Sequence, residues 1–240
     1  IVYSSTHAAN ENCPTAPVFE GGRYVWAIYD SFDIYAKDSS TAESKLLIGG
    51  EGYDAEPTIS PDGKYMIFTS TRSGDLDLWR YEFETKELKQ ITFLPGYDGG
   101  AFFSHDSKKL VWRASRPNDE ELPIYKDLLS KGLVEPKAMN LYTSDIDGNN
   151  VEQITNLPGA NWAPFFHPDN KRILFSSNHH TMDKGGRVFD IFMIDPSTKK
   201  LEQITNSGTF DAFPMFSNDG KYLVFSSNRR ADRKPSRDTN

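Results

Sequence analysis

One cysteine, Cys13, stands among 240 residues, which excludes an internal disulfide and every multi-cysteine zinc or iron–sulfur site. The chain has no uninterrupted apolar run of the ~18 residues that a membrane-spanning helix needs. No charged-then-apolar leader opens it. Basic charge is scarce: 27 Lys and Arg face 34 Asp and Glu, for a formal charge of −7. Phosphate contact needs concentrated Lys and Arg, so neither a nucleic-acid partner nor membrane insertion is expected. Catalytic signatures are missing as well: there is no Gly-x-Ser-x-Gly elbow, no His-Glu-x-x-His and no Walker loop. What is present is apolar material, 37% hydrophobic and 13% aromatic, enough to build a packed core.

That material is periodic. One block recurs four times, as Ser60-Pro-Asp-Gly-Lys64, Ser104-His-Asp-Ser-Lys108, His167-Pro-Asp-Asn-Lys171 and Ser217-Asn-Asp-Gly-Lys221. Each copy precedes a β-rich run such as Met66-Ile-Phe-Thr-Ser70. Gln-Ile-Thr closes units at 90–92, 153–155 and 203–205, and Asp33, Asp77, Asn140 and Asp190 open a further strand. The blocks keep one order, so each unit reads as four strands, a to d. In the second unit these cover about residues 54–60, 64–71, 76–83 and 88–92. Asp62-Gly63 suits a tight a–b hairpin, because both residue types tolerate positive φ. Four strands per unit of ~44 residues match a β-propeller blade; a flat sandwich is the competing architecture, and it gives no reason for the strands to repeat in fours.

The Ser-Pro-Asp-Gly-Lys block, followed by strands ending Thr-Ser-Thr-Arg72 or Ser-Ser-Asn-Arg229, resembles the PD40 repeat, the WD40-like repeat of TolB-type propellers. The resemblance implies an all-β propeller with six blades. The expected layout is a single propeller domain over 1–240: a partial blade 1–48, blades of about 54–92, 98–155 and 161–205, and a partial blade 211–240. A helical insertion covers 118–133. This amounts to just over four blades. The expectation is a fragment of the six-bladed form; the alternative is a four-bladed ring in which strands near 33–48 join the C-terminal a and b strands.

Long connections interrupt the repeat only between strands b and c, at residues 8–32, 117–138 and 180–188, hence on one face. The middle one places Leu122, Tyr125, Leu128 and Leu129 on one side of a helix over residues 119–131, with Gly132 just beyond. Two registers border the same face: Asp54, Asp98, Asn161 and Asp211 open the a strands, and His7, Arg72, Arg116, His179 and Arg229 end the b strands. They read either as a polar ring for a ligand or as ties that fix the loops. Three departures from the repeat are stronger ligand candidates. Glu56 stands where other blades carry Gly100, Ala163 and Phe213, and suits a cation or a partner such as Arg72 or Arg113. Arg113 replaces Thr69, Ser176 and Ser226, and Trp162 replaces Ala55, Gly99 and Ala212. His7, His179, His180 and Asp183 are candidate ligands for a divalent cation, though no spacing among them is diagnostic.

Two functions follow. The first is a non-enzymatic scaffold that binds a protein or peptide at its channel mouth and b–c loop face; resemblance to the TolB type implies a periplasmic setting and no cofactor. The second is enzymatic. Similar propellers occur as metal-dependent oligogalacturonate lyases, which here predicts His7, His179 and a third histidine converging, and as regulatory domains of larger peptidases.

Overall fold

Strands in which large apolar residues alternate with small ones pack through both faces, and this chain is built of them. The computed structural model describes residues 1–10, 12–15, 23–41 and 43–229. It opens with β1 (Val2–Ser5), β2 (Trp26–Ala27), β3 (Asp33–Lys37) and β4 (Ser44–Ile48). Of these, β1, β3 and β4 form a three-stranded sheet with β3 central. Next, β5 (Asp54–Ile59), β6 (Tyr65–Ser70), β7 (Asp77–Glu82) and β8 (Leu88–Gln90) pair antiparallel in chain order. They are followed by β9 (Asp98–Phe103), β10 (Lys109–Ala114), helix α1 (Leu122–Ser130), β11 (Leu133–Val134), β12 (Asn140–Asp145) and β13 (Glu152–Gln153). Again the sheet order is sequential, β9-β10-β12-β13. A third four-stranded sheet joins β14 (Asn161–Phe166), β15 (Ile173–Ser177), β16 (Asp190–Ile194) and β17 (Leu201–Gln203). Last, β18 (Asp211–Phe216) pairs with β19 (Leu223–Ser227).

Among the described residues, the strand pairing that a four-bladed ring needs is absent. β3 takes β4 on one edge and β1 on the other, through the register Val2–Ala36 to Ser5–Asp33, and β18–β19 is a two-stranded sheet. Strand β1 fills the edge of β3 completely, and Lys37 N–H closes that ladder on the Ile1 carbonyl at 2.7 Å.

The chain divides into two compact units, one of residues 1–59, 63–101 and 114–136, the other of residues 60–62, 102–113 and 137–240. In the first, Ile34, Ile48, Met66, Phe68 and Tyr81 form a buried cluster. In the second, Val111, Leu141, Ile154, Phe166, Ile173, Phe175, Phe192 and Ile194 do the same. The b strands supply the bulkiest core residues at one repeat position, Phe68, Trp112 and Phe175, all fully buried.

The repeated blocks now have causes. In the a–b turns, Ser60, Ser104 and Ser217 donate to Asp62, Asp106 and Asp219 at 2.6–2.7 Å, which explains Ser-x-Asp. In Gln-Ile-Thr, the threonine hydroxyl accepts from the second N–H of strand c: Leu78 to Thr92, Leu141 to Thr155 and Ile191 to Thr205, each at 2.9 Å. The same hydroxyl donates to Asp77, Asn140 and Asp190, the first residues of those strands.

Candidate functional site

Each a strand carries the same irregularity two residues after its acidic or amide opening. Glu56, Gly100, Ala163 and Phe213 have φ of 57°, 59°, 49° and 58°, and the pairing shifts there in β5, β14 and β18. A bulge of this kind turns side chains and N–H groups out of the ladder.

The two sequence registers meet within blades. Arg72 donates to buried Asp54 at 2.7 Å and to Ser70 at 2.9 Å. Arg116 donates to buried Asp98 at 2.7 Å, and Arg229 to Asp211, with Ser227 Oγ bridging at 2.6 Å. Burial works to raise the Asp211 pKa, but hydrogen bonds from Ser227, Arg229 and Ser207 outweigh it and hold the carboxyl below its usual range. The remaining blade has exchanged both partners: Asn161 replaces the acid and His179 the arginine. Ser177 Oγ lies 2.6 Å from Asn161 Oδ1 and 2.8 Å from His179 Nδ1. A neutral pair thus stands where charged pairs stand elsewhere, linked through the same serine position.

Burial, and then neighbouring His180, lower the His179 pKa. Between the ordinary histidine value of about 6.5 and the lowered folded value, the unfolded chain binds the proton more readily. The contribution of His179 to stability is therefore complete above that ordinary value and declines as pH falls through it. Melting temperatures of the wild type and His179→Gln at pH 8 and pH 5 check this: the acid-induced drop is expected to shrink in the variant, and equal drops would refute it.

Glu56 accepts three hydrogen bonds on one oxygen, from Thr69 Oγ1 (3.0 Å), Tyr97 OH (2.9 Å) and Gly100 N–H (2.9 Å). Glycine at 99 makes this possible, because a Cβ there would lie 2.3 Å from the Tyr97 hydroxyl and 2.6 Å from Glu56 Oε2. Arg113 is buried in β10. Trp162 is half-buried between Phe189 and Phe213, with ring centroids at 5.2 and 5.7 Å.

The histidines have hydrogen-bond partners within the protein. His7 Nδ1 lies 2.8 Å from Ser5 Oγ, and its ring is 4.3 Å from Tyr35. His180 Nε2 is 2.9 Å from Asp190, which also receives Thr205 and Gln203. Residues 179–184, including Asp183, form a 3-10 helix. Among the described residues no three His, Cys, Asp or Glu side chains group to hold a metal. Of the ligands that the lyase reading names, His7 and His179 are each hydrogen-bonded to the serine two residues before them. His105 and His167 lie in a–b turns; His105 Nε2 contacts the Phe166 carbonyl and His167 contacts Arg172.

The b–c insertions hold what the sequence did not disclose. β2, from the first insertion, pairs antiparallel with β11, from the second: Ala27 faces Leu133 and Trp26 faces Val134. Ile28 N–H extends the pairing to the Gly132 carbonyl at 2.7 Å. Helix α1 starts at Leu122, later than the expected 119: Asn118 Oδ1 accepts from the N–H groups of Glu120 and Glu121 at 3.0 Å and closes a first turn, but Pro123 has no N–H with which to continue the ladder from it. Gly132, at φ 68°, follows its C-terminal end. Buried Tyr125 donates its hydroxyl to Asp75, which precedes strand c of the β5–β8 blade, and Asp75 also accepts from Gly96 N–H at 3.1 Å. Trp26 meets Tyr97 edge-on at 6.3 Å. Burial and the Asp75 charge push the Tyr125 pKa strongly upward, so the hydroxyl stays protonated and donating.

This layer and the blade rim enclose a cleft of about 570 Å³, within the usual range for ligand sites. Tyr29, Asp30 and Lys131 line it from the insertions, Tyr53 and Thr71 from the rim. Tyr125→Phe is expected to cost about 1–3 kcal/mol and to speed limited proteolysis within 117–138. Urea unfolding and a timed protease digest check both, and unchanged digestion would show that the hydroxyl does not anchor the helix.

Consecutive four-stranded sheets with this strand order are the blades of a β-propeller. Residues 133–234 match the family described as the TolB beta propeller domain, PD40. The PD40 match thus covers part of the chain, and the fold of the rest is similar to that of TolB-type propellers. Its fold resembles TolB from Acinetobacter baumannii at a TM-score of 0.65 and 20% identity, over 85% of this chain and 45% of that one. Hydrazine synthase of Kuenenia stuttgartiensis matches with a TM-score of 0.62 at 17% identity, over 83% of this chain and 32% of that one. A stretch of 49 residues is 41% identical to an uncharacterized protein of Agrobacterium fabrum, covering 20% of this chain and 17% of its relative. The chain thus spans less than half the length of each of these three proteins.

Proposed function

We propose that this propeller is a non-enzymatic scaffold outside the cytoplasm that binds a protein or peptide segment through the face bearing its b–c insertions. One observation carries the reading: two insertions far apart in sequence are tied together by β2–β11 and fastened to the blade by Tyr125, so that they frame a cleft. Decoration that merely covered a blade would not need both. In this reading the Asp–Arg and Asn–His pairs hold the rim in shape and do not touch the ligand. The TolB-type fold supports the extracytoplasmic setting, and no helix of the described residues is long and apolar enough to cross a membrane.

Selection of random 12-residue peptides on the immobilised 240-residue protein tests this. Enriched peptides are expected to bind at least tenfold more weakly to a variant whose residues 118–133 are replaced by a short Gly-Ser linker. Circular dichroism of that variant establishes that the blades remain folded, and Tyr125→Phe, which keeps the full chain, is expected to weaken binding to a lesser degree. Failure to enrich any peptide, or equal binding to both variants, would reject the scaffold reading.

A further inference from the structure

We infer that the cleft between the insertions and the β5–β8 blade takes a cationic side chain, the guanidinium or ammonium of a basic residue in the bound segment; this rests on the scaffold reading above. Three observations converge. First, two aromatic rings held by a common neighbour line the cleft. Tyr29 and Tyr53 line it, and both pack on Phe32, with centroids at 6.0 and 5.9 Å and planes at 42° and 76°. Aromatic rings held by a neighbour cost little further ordering when a cation settles over them.

Second, Asp30 adjoins Tyr29 in the same lining and forms no ion pair among the described residues. Lys131, the cation in the lining, is already neutralised by Asp127 at 2.6 Å. The local balance therefore leaves one carboxylate beside two rings, the combination that binds a desolvated cation. Third, the acidity of the whole chain is concentrated in this unit. Residues 1–59, 63–101 and 114–136 contain 20 Asp and Glu against 11 Lys and Arg, while the rest of the chain contains 14 against 16. A negative field over one unit steers basic segments toward its cleft.

The peptide selection described above decides the matter when it is followed by three changes. Each enriched peptide is remade with citrulline for arginine and acetyl-lysine for lysine, which keeps shape and removes charge. Binding is measured by titration calorimetry to the wild type, Asp30→Asn and Tyr29→Ala, at 50 and 300 mM NaCl. Asp30 is exposed, so Asp30→Asn is expected to leave folding intact. The inference predicts enrichment of basic residues, a loss of about tenfold or more on neutralising the peptide, and a loss of about tenfold with Asp30→Asn, equal to about 1.4 kcal/mol. It also predicts weaker binding at the higher salt. Enriched peptides that lack basic residues, or that bind Asp30→Asn as tightly as wild type, would overturn the cationic assignment and leave the scaffold reading standing. A selection that enriches nothing would overturn both.

Discussion

Asp54→Ala is expected to destabilise the protein by about 3–4 kcal/mol, because it strands the Arg72 guanidinium beside a buried, now apolar, position. Asp54→Asn is expected to cost less, since an amide still accepts one hydrogen bond. A double substitution makes the more specific test. Asn161 and His179 already occupy these two positions in another blade, joined by Ser177, and Ser70 occupies the matching bridging place beside Arg72. Asp54→Asn with Arg72→His copies that arrangement and is expected to recover more than half of the stability lost by Asp54→Asn alone. Full recovery is not expected, because Arg72 also lies over Phe68 and Trp79, at 5.4 and 5.3 Å, and those contacts go with it. Urea titrations of the four proteins form a double-mutant cycle; strictly additive costs would show that the two residues do not act as a pair.

A comparably large effect is expected from Phe175→Ala. The ring is fully buried in a cluster with Val111, Phe166 and Phe192, and removing it leaves a cavity costing about 3–5 kcal/mol. Phe225 occupies the same repeat position in β19 but is only half-buried. There, truncation is expected to cost less than half as much. The contrast isolates burial from residue type, since both are phenylalanines on matching b strands. Equal losses at the two sites would show that burial does not set the cost at this repeat position.

The propeller was legible because its blocks are obligatory local chemistry. Ser-x-Asp closes a turn, and Gln-Ile-Thr supplies a hydroxyl that takes the place of a backbone acceptor for strand c. Such devices need specific atoms and therefore leave a fixed residue pattern. The Asp–Arg registers were visible for the same reason, and the residues favoured a loop tie while leaving a ligand ring open. Glu56 was harder to read. A carboxylate offered either a cation site or an arginine partner; the three hydrogen bonds that one of its oxygens accepts from Thr69, Tyr97 and the Gly100 N–H were not among the readings. The glycine pair at 99–100 was the available signal, since an emptied strand position is what a neighbouring side chain needs. The union of β2 with β11 had no signal at all. Two-residue strands carry no period, and backbone pairing between segments more than a hundred residues apart depends on how the blade brings them together.

That union links the fates of the two insertions. A relative of this chain that lost the segment around residues 117–138 would leave Trp26 and Ala27 with an unmatched ladder edge, and shortening residues 8–32 would do the same to Leu133 and Val134. Kindred sequences are therefore expected to gain or shed these two excursions together, with Tyr125 and Asp75 lost at the same step, while the blades beneath tolerate either state.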